Sequence, residues 1–308
     1  MGRLYDFLKE EMNLYQAIEK IELKVKEIMQ TNRESYLESH GFSHIERVIK
    51  YVEEAYDCYF QKDMPLNSYE CFVLLAAIYI HDIGFFLHDE KTIEAFCKHK
   101  KIRFCKEHEE EFYRKQHPWL SAYWLEKNIE DDLKLPFIFD GDIQFGYCIM
   151  KVIIGHGIDF WKFPEYQKQF YVSDINIRID YLSYLLCLGD SLDCDKRRNQ
   201  DTAVNKLELC SVQERIFFKF QEYINLIEFD KENIILHMNI PAVVEEKKEI
   251  INLFIKNRMK WIEYLLNVGN KLFCDIDFKV TLKIYVKECA KQVGFTKEEY
   301  CYIQEYLI

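Results

Sequence analysis

The sequence predicts a mainly α-helical protein: a helical bundle over residues 1–202, followed by a smaller α+β extension over residues 203–308. Three observations predict it. Apolar residues recur at helical spacing through most of the first part. Turn-formers are scarce, with 10 Gly and 5 Pro in 308 residues, while Leu, Ile, Glu and Lys abound, which favours helices over long linkers. Past residue 202 the pattern changes to short runs of β-branched and aromatic residues in partial alternation.

In order, residues 3–31 place Leu4, Leu8, Met12, Tyr15, Ile18, Ile21, Val25 and Ile28 on one face, a long amphipathic helix. A second helix is expected over 43–61, with Ser43 as N-cap and Glu46 three positions on. A third, largely apolar, covers 67–82 and closes at Gly84. Residues 85–107 are charged and aperiodic and read as a loop or short helical insertion. A helix over 118–130 has Pro118 in its first turn, where the missing N–H costs nothing. Further helices are expected over 142–154, ending at Gly155-His156-Gly157, and over 175–193. In the extension KLELC, RIFFKFQ, NIILHMNI and DFKVTLKIYV read as strands, with a helix over 243–268 between the last two.

Bulk properties narrow the function. A net charge of −11 makes the chain a poor general nucleic-acid binder, because phosphate neutralisation needs surplus Lys and Arg. The 11 cysteines include no C-x-x-C pair, which argues against a zinc knuckle or redox motif. They are expected to be buried thiols in a reducing cytoplasm. The first residues carry no apolar signal core, and no apolar run approaches a membrane span.

Six residues carry chemistry: His44, His81, Asp82, His117, His156 and Asp190. Each lies at or near the end of an expected helix. His81-Asp82 follows AAIYI and Asp190 follows YLLCLG. A carboxylate behind such a run is costly to bury unless it is paired or holds a metal. Imidazoles with carboxylates suit Mn, Fe, Zn, Ni, Co or Mg. An adjacent His-Asp pair can give its imidazole to one ion while its carboxylate bridges two.

The ordered pattern resembles the HD-domain superfamily of metal-dependent phosphohydrolases. SHIERV is similar to its first histidine motif, HDIG to its signature, HPWLSAYWL and IIGHG to its further histidines, and LCLGDSLDCDKRR to its last aspartate. The resemblance covers about residues 40–200 and implies an HD-type helical bundle. It implies His44, His81, Asp82 and Asp190 as core metal ligands, with His117 and His156 on a second ion. Asp82, His117 and His156 would be catalytic. The implied reaction is hydrolysis of a nucleotide-type phosphoester or phosphoanhydride by metal-activated water, with one or two divalent ions as cofactors. A few proteins of this fold are di-iron oxygenases with a similar ligand set, and a non-catalytic nucleotide-sensing module is a third reading.

Phe85 stands where the cyclic-di-GMP branch has Lys, and GHGIDFWKFPEY replaces its GYP motif. Phe85 and Phe86 also stand near the acidic pair of the alarmone hydrolases. More loosely, the chain resembles HD regions with a C-terminal extension in bacterial multi-component and chaperone-ATPase-linked proteins.

Substrate phosphates would meet Lys91, Arg197 and Arg198. A lid over the site could add Lys98, Lys100, Lys101 and Arg103; a solvated loop, with His88, His99 and His108 in it, is the simpler account. Asp193 can bond a ligand or end a helix. His40 is a surface or supporting position, and His237 belongs to a strand. The extension, with Ile250, Phe254, Trp261 and Leu265 on its helix, can support a second copy or a partner protein.

Overall fold

Residues 68–80 have no polar stripe. Every side chain from Cys71 to Ile80 is buried, at 3% exposure or less, and a helix apolar on all sides must sit inside others. The computed structural model describes residues 3–31, 41–130, 144–163, 166, 169–172, 175–201, 211–243, 245–290 and 292–307. Among these, the chain divides into two compact units: Met1–Tyr56 with Met64–Asp190, and Asp57–Asp63 with Ser191–Ile308. The expected boundary between 202 and 203 and the expected strand KLELC lie outside the described residues.

The first unit is helical: α1 (Arg3–Leu8), α2 (Met12–Thr31), α3 (Phe42–Ala55), α4 (Ser68–Ile80), α5 (Glu90–Lys100), α6 (Glu109–Glu130), α7 (Gln144–His156) and α8 (Ile179–Leu192, whose last two residues fall to the second unit). Helices α1, α2, α3 and α7 pack on α4. The stretch Ser68–Phe86 is long and apolar enough to cross a membrane by length and composition, contrary to expectation, but 94% of it is buried. That is the placement of a core helix.

One ion pair sets how α4 and α8 start. Asn67 caps α4, accepting the Glu70 N–H at 2.9 Å, and Glu70 returns a bond to the Asn67 N–H at 3.3 Å. Glu70, 1% exposed, also takes the Arg178 guanidinium at 2.7 and 2.6 Å and the Arg178 N–H at 3.0 Å. Arg178 immediately precedes α8. The two helices are tied at their N-termini, and the far end of each carries a residue of the candidate site.

Several expected elements differ. The helix over 3–31 is broken at residues 9–11; this re-aims α1 so that the Leu4 N–H meets Glu53 Oε1 on α3 at 2.9 Å. Helix α3 starts at Phe42 with Gly41 as cap, so Ser43 does not cap it, and past Ala55 it widens into a π-turn, Tyr56–Phe60. Gly84 is not the cap of α4, which closes at Ile80; it lies in a 3-10 turn, Ile83–Phe86. The segment 85–107 holds the eleven-residue α5, the short helical insertion that is one of its two expected forms. Asp89 caps it by accepting the Thr92 N–H at 2.8 Å. Pro118 lies inside α6, not at its first turn. Residues 175–178 form a strand, β2 (Ile175–Arg178), paired antiparallel with β1 (Gln169–Val172).

The second unit contains α9 (Val212–Tyr223), β3 (Ile224–Phe229), β4 (Asn233–Pro241), α10 (Glu245–Leu272), β5 (Thr281–Cys289) and α11 (Lys297–Tyr302). The sheet order is β3-β4-β5, antiparallel then parallel, with α10 as the crossover. RIFFKFQ is helical rather than a strand: Ile216, Phe220 and Tyr223 are buried at helical spacing. The turn 57–63 belongs to this unit. Tyr59 donates to the Asn233 carbonyl at 2.8 Å, and Phe60 stacks on Phe278 at 4.9 Å. Cys105, Cys274 and Cys301 are exposed, so not all thiols are buried.

Candidate metal centre

The six sequence-derived residues His44, His81, Asp82, His117, His156 and Asp190 converge in the first unit. His44 enters from the first turn of α3, His81 and Asp82 from just past α4, His117 from the middle of α6, His156 from the end of α7, and Asp190 from the last turn of α8. His44 and His81 are wholly buried, and Asp82 is 3% exposed.

Asp82 divides the cluster. Its Oδ2 lies 3.4 Å from Nε2 of both His44 and His81. Its Oδ1 lies 3.4 Å from His117 Nε2 and 3.9 Å from His156 Nε2. The imidazoles pair accordingly, His44 with His81 at 3.3 Å and His117 with His156 at 3.2 Å between Nε2 atoms. Asp190 Oδ1 adds to the first group, 3.3 Å from His44 Nε2 and 3.9 Å from His81 Nε2.

The backbone fixes which nitrogen faces inward. His81 Nδ1 donates to the Ile78 carbonyl at 2.7 Å, and His156 Nδ1 to the Ile153 carbonyl. His117 Nδ1 faces the Tyr113 and Arg114 carbonyls, each at 3.1 Å. A carbonyl only accepts, so each Nδ1 carries the proton and each Nε2 turns its lone pair to the centre. Pro118 contributes here: lacking an N–H, it leaves the Arg114 carbonyl, its helical partner four residues back, open to His117.

Burial favours the neutral form of His156. Burial, and then the neighbouring His81, push the His156 imidazole from 6.5 down to about 4. For Asp190 burial acts upward, but the hydrogen bond from His44 and the charges of His44 and His81 outweigh it, so the carboxyl stays well below its ordinary 3.8.

Two donors each about 2.1 Å from one ion stand roughly 3.0–3.4 Å apart. The spacings of Asp82 to His44, His81 and His117, each 3.4 Å, fit that requirement, and His156 at 3.9 Å lies just outside it. Two subsets, His44 with His81 and Asp190, and His81 with Asp82 and His156, are close enough to hold an ion. The residues present suit a divalent metal.

Glycines shape the surrounding packing. A Cβ on Gly84 would meet the His117 carbonyl oxygen and come within 2.8 Å of the His117 Cα. A Cβ on Gly157 would strike the Pro118 ring, and one on Gly155 would lie 2.5 Å from Ser183 Oγ. The glycines beside His156 therefore serve close packing.

The chain matches the family model HD-CE over residues 27–268, more than three quarters of its length. It belongs to the HD-CE family. The match runs past the first unit into α10 of the second. No curated protein and no solved structure matches the chain.

Lys91 is exposed in the first turn of α5. Arg197 and Arg198 are in the second unit, and neighbouring groups engage both: Arg197 donates to both oxygens of buried Asp195, from Nε to Oδ1 at 3.1 Å and from Nη2 to Oδ2 at 2.6 Å, and Arg198 donates to the Asp193 carbonyl at 2.7 Å. Lys100 lies over the Trp119 ring at 3.2 Å. His237 pairs with Glu228 at 2.5 Å. His40 lies outside the described residues. Sequence reading missed the carbonyls that orient the imidazoles and the Glu70–Arg178 pair, because no local pattern signals them.

Proposed function

We propose that this HD-CE chain is a metal-dependent phosphohydrolase acting on a nucleotide-type phosphoester or phosphoanhydride. The observation that supports it most is the split of Asp82, whose two oxygens face two different histidine pairs. In this reading His44, His81, Asp82 and Asp190 hold one ion, and Asp82, His117 and His156 hold a second. Bound there, divalent ions would supply Lewis acidity, activate water and offset charge on the phosphoryl oxygens. The protein's share is orientation. Backbone carbonyls hold three imidazoles with Nε2 inward, and the buried apolar helix α4 keeps bulk water from one side of the cluster.

The Arg197 and Arg198 guanidiniums are engaged by Asp195 and Asp193 within the second unit, and with Lys91 they stay this reading's candidates for substrate phosphates. The test is elemental analysis of the purified chain, then a nucleotide panel assayed for phosphate release with the metal found. Metal-dependent phosphate release from at least one nucleotide is expected. Iron with substrate-dependent oxygen consumption would replace the reading by an oxygenase, and nucleotide binding without turnover would replace it by a sensing module.

A further inference from the structure

Ser121 is fully buried on α6, one turn beyond His117. Its hydroxyl is used twice. It accepts the Gly84 N–H at 2.8 Å and donates to the His81 carbonyl at 2.7 Å. These two backbone groups flank Asp82 and Ile83, so the hydroxyl clasps the turn that presents Asp82. The clasp comes from the same helix that presents His117, and Gly84 in that turn packs on the His117 backbone.

The arrangement has a geometric consequence. Asp82 reaches the His44–His81 pair through Oδ2 and the His117–His156 pair through Oδ1. His81 and Asp82 are neighbours in sequence, which keeps the first pair close. The Phe85 ring stacked on His117 at 4.1 Å and the Tyr113 hydroxyl on the Leu87 carbonyl at 3.1 Å hold α6 beside this segment, and the Ser121 hydroxyl alone among these ties both ends of the Asp82 turn to one point on α6. Its proton goes to the His81 carbonyl and one of its two lone pairs to the Gly84 N–H, so it has no proton left to donate to a substrate.

We infer that Ser121 is the positioning residue that couples the two halves of the centre, holding Asp82 where it can serve the His117–His156 side without leaving the His44–His81 side. The inference rests on the two-ion reading given above. Ser121 touches no ion. Its effect passes through the Asp82 turn, and supporting groups of this kind change metal affinity by about 10–100-fold when removed.

The test is titration of the metal-stripped, full-length chain with Mn(II), followed by calorimetry and by the spin-coupled signal of a manganese pair. In Ser121→Ala the tighter ion should bind within about threefold of wild type, while the weaker one loses about 10–100-fold and the coupled signal fades. Ser121→Cys, close in shape but a weak hydrogen-bonding group, should fall between the two. A purely structural serine would lower the melting temperature and leave both affinities unchanged, and that result overturns the inference. So does equal loss of both ions in a folded Ala or Cys variant. A wild-type chain that binds one ion or none instead removes the two-ion reading, and the inference with it.

Discussion

Gly84 lies directly on the backbone of His117: a side chain there would come within 2.8 Å of the His117 Cα and closer still to its carbonyl oxygen. Backbone cannot yield as a flexible side chain can. Gly84→Ala should therefore push the Asp82 turn away from α6 and destabilise the first unit by about 1–3 kcal/mol, the usual range for overpacking a tight core. Urea unfolding measures this. A loss below about 0.5 kcal/mol would mean that the contact is loose.

The Glu70–Arg178 pair makes a second prediction. Glu70 is 1% exposed and its carboxylate is shared between a helix cap and a guanidinium fork. Arg178→Ala leaves that charge buried with half its partners, at a cost of about 3–5 kcal/mol. The double variant Glu70→Gln with Arg178→Met removes the stranded charge and should recover part of that loss. If the single variant unfolds at the wild-type denaturant midpoint, the pair does not hold α4 and α8 together.

Acid should loosen the metal-free protein through His156. Its imidazole titrates near 4 in the fold and near 6.5 when unfolded. Between those values the unfolded chain binds the extra proton, so stability rises with pH across that window. The contribution is complete above about pH 6.5 and is lost as pH falls toward 4, amounting to about 3 kcal/mol. Melting temperature followed from pH 7 to 4 should fall, and His156→Gln should flatten part of the slope. An unchanged slope in the variant would assign the acid sensitivity to other groups.

The two His-Asp dipeptides should behave differently. Asp89 caps α5, and His88 packs edge-on against Tyr113, with neither ring nitrogen hydrogen-bonded among the described residues. His88→Ala should leave metal content unchanged and alter stability by no more than about 1 kcal/mol, since a buried group without a hydrogen bond is lost along with some packing. Asp82→Ala should strip most bound metal. Comparable metal loss in both variants would mean that His88 also serves the site.

Much of this was readable from sequence because five of the six residues lie at or near a helix end; His117, in the middle of α6, does not, and only its HPWLSAYWL motif marks it. HDIG follows a run with no polar face, and that alone places His81 and Asp82 at the edge of a core. Other features were hidden for physical reasons. RIFFKFQ carries aromatic residues that suit a strand, but its buried positions repeat at helical spacing. Pro118 looked like a helix start because its missing N–H is cheapest there; in α6 the lost bond is put to use by His117. Arg178 and Ser121 act through partners 108 and about 40 residues away, and no window of sequence contains both ends.

The turn 57–63 bears on how the protein can be taken apart. Tyr59 and Phe60 complete the second unit from within the first third of the chain, bonding Asn233 and stacking on Phe278. A single cut at residue 190 therefore cannot release the C-terminal part intact, since it would leave Phe273 and Phe278 without the ring that covers them. The extension is not a detachable cassette: its own unit includes seven residues supplied from between α3 and α4.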